Sequence, residues 1–146
     1  MPKSKAKLLN PVTDFKHLTL IYFCFYVLNV IVVYFANRFF PESVVLGHHF
    51  YAPWHALLQS MAVMTFIIVG AMPVVETLAN FARIKLMMRD WIIVYALVDI
   101  FAVWFTARFA ELLGFGISSW IIAVVLGLVI DFLQGALMLK VVRKLM

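Results

Sequence analysis

Two aspartates, Asp99 and Asp131, stand inside stretches that are otherwise almost wholly apolar, and no other residues place chemical potential so deep in the chain. A charged residue such as Asp at the centre of a membrane helix costs about 2.5–3.5 kcal/mol on insertion scales, so one kept there is expected to hold a cation, carry a proton or bond a neighbouring helix. Asp99 follows Trp91 by eight residues and Asp131 precedes Lys140 by nine. At 1.5 Å of helical rise per residue, both carboxyls should lie about 12–14 Å deep, in one layer. Tyr95, one turn before Asp99, is placed to donate to it, and Gln134 is a companion for Asp131. Asn29, near the middle of the first apolar stretch, would complete the layer. Pro73 lacks an N–H, so the carbonyl of Val69 should lose its helical partner and the helix should kink. A freed carbonyl beside two carboxyls suits cation binding or proton relay.

The same residues also admit a structural role. Paired acids can share a proton and stay neutral as hydrogen-bonding glue between helices, and sequence alone does not separate this from a working ion or proton site. Ala123, Gly127, Asp131 and Gly135 recur at steps of four, a stripe of small residues that lets helices approach closely and is a candidate contact face between subunits. Arg108 and Glu111 are expected to pair locally near one end of their helix. Glu76 and Asn80 read as interfacial, with Glu76 also placed to line a cytoplasmic mouth.

Other chemistries find little support. His48, His49 and His55, with Glu42 nearby, are residues of the type that binds zinc or copper, but their spacing matches no helical pair or catalytic pattern, so no metal site is expected. His17 and His55 should lie near opposite membrane faces, which excludes shared haem ligation. Cys24 is the only cysteine and reads as a small core residue. No glycine-rich phosphate loop, Ser–His–Asp set or nucleophile elbow is present, so neither a cofactor nor an enzymatic activity is expected.

The elements that must carry these residues follow from solvent physics. Hydrophobic residues make up 66% of the 146, against about 45–50% in soluble proteins, and charged residues only 13%. Mean hydropathy is +1.04. Stretches 17–37, 53–79, 91–113 and 119–139 each reach the roughly 20 residues a spanning helix needs. They are too long and continuous for barrel strands of about 10 alternating residues. The expected fold is an all-α, polytopic four-transmembrane-helix bundle forming a single domain. Pro53 suits a first helical turn, Gly114 and Gly116 can end the third helix, and Ser118 or Ser119 can cap the fourth. Trp54, Trp91 and Trp120 fall at span ends, where an indole prefers the interface. Only "GFGIS" separates the last two spans, which should therefore form an antiparallel hairpin. The apolar run 18–36 exceeds the roughly 7–15 residues of a signal core and reads as a retained first span.

Of the 12 cations, Lys3, Lys5, Lys7, Lys16, Arg83, Lys85, Arg89, Lys140, Arg143 and Lys144 fall on one side, leaving Arg38 and Arg108 opposite, a split of 10 to 2. By the positive-inside rule both termini should be cytoplasmic, in a plasma (inner) membrane. The net charge of +5 then reads as attraction to anionic lipid headgroups, not nucleic acid. The segment "NFARIKLMMRD" is expected to be either a short interfacial helix or an extension of the second span. Loop 38–52, with Pro41 and Gly47, is the longest connection between spans. These features point first to an oligomeric cation or proton channel or transporter, since four helices alone enclose little more than their own side chains. A non-transporting assembly factor or accessory subunit is the alternative, and a holin-like pore former the third.

Overall fold

The structure, a computed structural model, describes residues 15–84 and 87–145. Lys3, Lys5, Lys7 and Lys85 of the expected cationic set lie outside the described residues, as do the side chains of His17, Arg143 and Lys144. Five helices and two short strands follow in the order α1 (Phe15–Phe39), β1 (Val44–Leu46), α2 (Pro53–Phe81), α3 (Met88–Arg108), α4 (Ala110–Leu113), β2 (Phe115–Ile117) and α5 (Trp120–Leu145). Four of the helices are long and apolar enough to cross a membrane, over Leu18–Phe39, Pro53–Phe81, Arg89–Arg108 and Trp120–Lys140. Their outward surfaces are apolar too: Phe23, Phe66, Leu97 and Phe132 are 60%, 71%, 61% and 74% exposed. Large side chains facing outward from every span call for lipid rather than water as the surrounding solvent.

Local chemistry sets several boundaries. Pro53 opens α2 in its first turn, where a missing N–H is harmless. At the start of α3 the Asp90 carboxylate accepts the Met87 N–H at 3.0 Å, satisfying a donor that the helix leaves free. Of the segment between α2 and α3, the described residues 82–84 and 87 are not helical, and residues 85–86 lie outside the described residues. The α2 helix stops at Phe81, and Arg83 turns the chain with φ 54. The third span also differs from expectation. It ends at Arg108, because Phe109 leaves helical geometry at φ −99 and ψ 35, and the remaining residues form the separate single turn α4.

The loops at that end hold the main surprise. "GFGIS" is not a bare turn: β2 pairs antiparallel with β1, matching Val44 to Ile117, Val45 to Gly116 and Leu46 to Phe115. Gly47 N–H donates to the Gly114 carbonyl at 2.7 Å, Ser118 N–H to Ser43 at 3.0 Å, and the Asn37 side chain to the Val44 carbonyl at 2.7 Å. Exchanging these bonds satisfies backbone groups near the membrane boundary. The sheet ties both loops together and defines a capped end; the start of α1 and the end of α5 lie at the other, the terminal end.

Around the bundle, α3 packs most closely on α5, α2 lies against both α1 and α3, and α1 meets α5 least. An apolar groove of about 510 Å³, lined by residues such as Phe35, Val125 and Leu133, separates α1 from α5. The expected contact stripe on the last span is divided. Ala123 is 1% exposed, and a Cβ on Gly127 would stand 2.6 Å from Ile100 Cα, so both are used against α3 within the chain. Gly135 has nothing within 4 Å of such a Cβ. The stripe therefore does not form one outward contact face, because α5 turns its upper half inward to seat on α3.

Candidate functional site

Every spanning helix contributes a polar group to the interior: Asn29 from α1, Thr65 from α2, Asp99 from α3 and Gln134 from α5, each 5% exposed or less. Three of the four are bonded to one another. The Gln134 amide NH₂ donates to the Asn29 carbonyl oxygen at 3.1 Å, and the Asn29 NH₂ donates to the Thr65 hydroxyl at 2.9 Å. Asn29 thus spends both ends of its amide, and the chain staples α1 to α2 and α5. Hydrogen bonds of this kind hold membrane helices together, since a free polar group in hydrocarbon has no water to turn to.

Asp99 stands apart from that chain. It is 1% exposed, and its Oδ1 is buried without a hydrogen-bond partner. Its neighbour on α5 is Asp131, which acts on it electrostatically and is itself partly exposed. The close seat of Gly127 on Ile100, the residue next to Asp99, draws the two helices together at this level. A second acid beside a buried oxygen adds like charge rather than compensating it, so the pair calls for a proton or a cation.

Two expected contributors stand elsewhere. Tyr95 does not donate to Asp99: its ring stacks on Trp91 at 5.5 Å between centroids, and its charged neighbour is Glu76 of α2. Val69 and Pro73 line a groove with Leu18, Thr19 and Tyr22 of α1, and neither aspartate borders it. That face of α2 turns towards α1. The α2 helix nevertheless continues through Pro73, and the Thr77 hydroxyl donates to the Pro73 carbonyl at 2.7 Å.

Arg108 and Glu111 do not pair either. The break at Phe109 changes their phase, and the Arg108 guanidinium lies 5.1 Å from the Trp104 ring centroid, a cation–π contact. His48 faces the aromatic rings of Tyr51 and Phe50, and its Nδ1 accepts the Phe50 N–H at 3.1 Å. Among the described residues no group of three or more His, Cys, Asp or Glu side chains is arranged to hold a metal ion.

Thr65 and Thr106 were not singled out from the sequence. Threonine in a helix commonly bonds its own backbone and gives no signal of a partner. Thr65 instead receives Asn29, while the Thr106 hydroxyl is buried and unpartnered two turns along the same face of α3 from Asp99. A count of hydroxyls at the depth of Asn29 would have raised Thr65 but not Thr106, which lies nearer the sheet; only the rotation of each helix shows which way they point.

Fold and site together define a small polytopic α-helical membrane protein with a carboxyl buried between its third and last long helices. No family model, curated protein or solved structure matches the chain.

Proposed function

We propose that this protein is a small oligomeric channel or transporter that moves a cation or protons past Asp99 and Asp131. The observation that carries the reading is the Asp99 Oδ1, buried in the bundle with no partner and with a second acid close by. Structural glue does not account for that oxygen, because gluing is already done by Gln134, Asn29 and Thr65. A carboxyl retained in hydrocarbon without a bond to make is characteristic of ion and proton pathways. On this reading the protein is a non-enzyme.

The membrane is a plasma (inner) membrane, with both termini on the cytoplasmic side. Lys16, Arg83, Arg89 and Lys140 are exposed at the terminal end and would meet anionic headgroups there, while Arg38 and Arg108 lie towards the capped end. Subunit contacts fall on faces other than the buried part of the α5 stripe. A second reading, a non-transporting accessory subunit, is supported by the amide chain, in which polar side chains bond one helix to another.

The discriminating experiment reconstitutes the purified protein in liposomes and follows proton and metal-cation flux for Asp99→Asn and Asp131→Asn. Flux should fall by about a hundredfold while the protein stays folded and keeps its oligomeric state. Undiminished flux in both variants, or no flux in the unaltered protein, would leave the accessory-subunit reading standing.

A further inference from the structure

We propose that the groove between α1 and α5 is a binding site for one phospholipid of the leaflet at the capped end, with an acyl chain seated in the groove and the phosphate at Arg38. The site stands apart from Asp99 and Asp131 and does not depend on their moving ions.

The first observation is the depth at which the groove stops. Its volume of about 510 Å³ falls within the roughly 300–1,000 Å³ of small-molecule sites. Along α5 its wall runs from Ile122 to Leu133, about 16 Å at 1.5 Å of rise per residue. The next residue, Gln134, bonds Asn29 across the same seam at 3.1 Å and closes the inner end of the groove. Asn29 lies near the middle of the first span, Leu18–Phe39. The groove is therefore a slot that runs from the capped end and is blocked near mid-membrane. Its depth matches one leaflet, about 15 Å of a hydrocarbon core about 30 Å thick. An acyl chain runs from the headgroup to the midplane and ends there. A helix of a second copy would cross the whole membrane, so a slot blocked at that level is cut to a lipid tail rather than to a helix.

The second observation is what borders the groove. Phe35 and Phe39 of α1 face Val125 and Val129 of α5 across it, and all four are exposed, so the slot opens sideways to hydrocarbon. Ser43, just before β1, is the only polar residue among those that line it. Arg38 follows Phe35 by three residues and Ile31 by seven, which places it on the flank of the groove at its headgroup end. It is exposed and has no acidic partner among the described residues. An arginine at this level snorkels, and its fork of N–H donors matches the oxygens of a phosphate. A tail-sized slot with such a cation at its mouth selects a phospholipid.

A chain in the groove touches α1 and α5 at once, along the seam where these helices meet least. It thereby extends to the capped end the link that Asn29 and Gln134 make at mid-membrane. A ligand that binds only the folded form stabilises it by mass action, so the lipid also holds α1 to the bundle.

The test is native mass spectrometry of the full chain in mild detergent, titrated with phosphatidylglycerol carrying palmitoyl and oleoyl chains. One lipid per chain should be held more tightly than the rest and should raise the thermal midpoint. Val125→Trp and Val129→Phe, at exposed positions that line the groove, should each fill it and weaken that first lipid by about tenfold or more. Phe132→Trp, exposed on α5 but outside the groove, should leave it unchanged. The midpoint of each variant without lipid checks that it folds. Arg38→Gln should weaken the first lipid by about tenfold and Arg38→Lys by less. Diacylglycerol, with the same tails and no phosphate, should bind the unaltered protein about as weakly as phosphatidylglycerol binds Arg38→Gln. Undiminished binding in both groove-filling variants would overturn the proposal. So would an unchanged lipid count together with loss of oligomers in those variants, which would show that a second copy covers the seam. Equal binding of diacylglycerol and phosphatidylglycerol would overturn the assignment of the phosphate to Arg38.

Discussion

Gly127 of α5 lies against the backbone of Ile100 of α3 so closely that a Cβ on it would stand 2.6 Å from Ile100 Cα and 2.7 Å from Ile100 N. Backbone atoms cannot give way as a flexible side-chain end can. Gly127→Ala should therefore push α5 off α3 and destabilise the protein by about 1–3 kcal/mol. Gly135→Ala, with open space around it, should be neutral or stabilising by up to about 1 kcal/mol. Equilibrium unfolding in mild detergent compares the two; equal effects would show that the close approach is not what holds the pair.

The Asn29–Gln134 bond closes the weakest seam of the bundle, between α1 and α5. A double-mutant cycle with Asn29→Ala and Gln134→Ala should give a coupling of about 0.6 kcal/mol, and no more than about 1.7 kcal/mol. Each single change strands a buried partner, so the double variant should lose less than the sum. Strict additivity would mean that the two amides do not interact.

Asp99 should behave oppositely to Asn29. Its Oδ1 makes no bond, so Asp99→Asn removes a buried acid at nearly constant volume and should leave the thermal midpoint unchanged or raised. Asn29→Ala should lower it. A loss on Asp99→Asn as large as that on Asn29→Ala would assign Asp99 to packing.

Gly114 joins α4 to the sheet with φ +70, and a Cβ there would stand 2.6 Å from Ala56 Cβ. Gly114→Ala combines left-handed strain of roughly 1–2 kcal/mol with a clash. Ala56→Gly alone should weaken α2 by about 1 kcal/mol, but it should cost less in the Gly114→Ala background, where it relieves the clash. Thermal unfolding of the four proteins measures that coupling, and its absence would show that α4 shifts freely.

Much of the architecture was legible because it depends on composition and length alone. An apolar run of bilayer length must become a helix whatever its neighbours are, since in lipid its backbone has nothing else to bond. The four spans, the helix start at Pro53 and the interior placement of Asn29, Asp99 and Gln134 follow from that. The break at Phe109 and the pairing of Val44–Leu46 with Phe115–Ile117 did not follow. Strand pairing joins segments about seventy residues apart, and neither segment carries a signal of the other.

The amino-acid order by itself determined which groups enter the membrane and roughly how deep each one lies, because depth is a running count along a helix. Only the tertiary structure decided which of them meet. Whether Asn29 bonds Gln134, whether Tyr95 faces Asp99 or Trp91, and whether Gly127 or Gly135 touches another helix depend on how each helix is rotated about its axis. That rotation is set by packing against the other three, a property no single span contains.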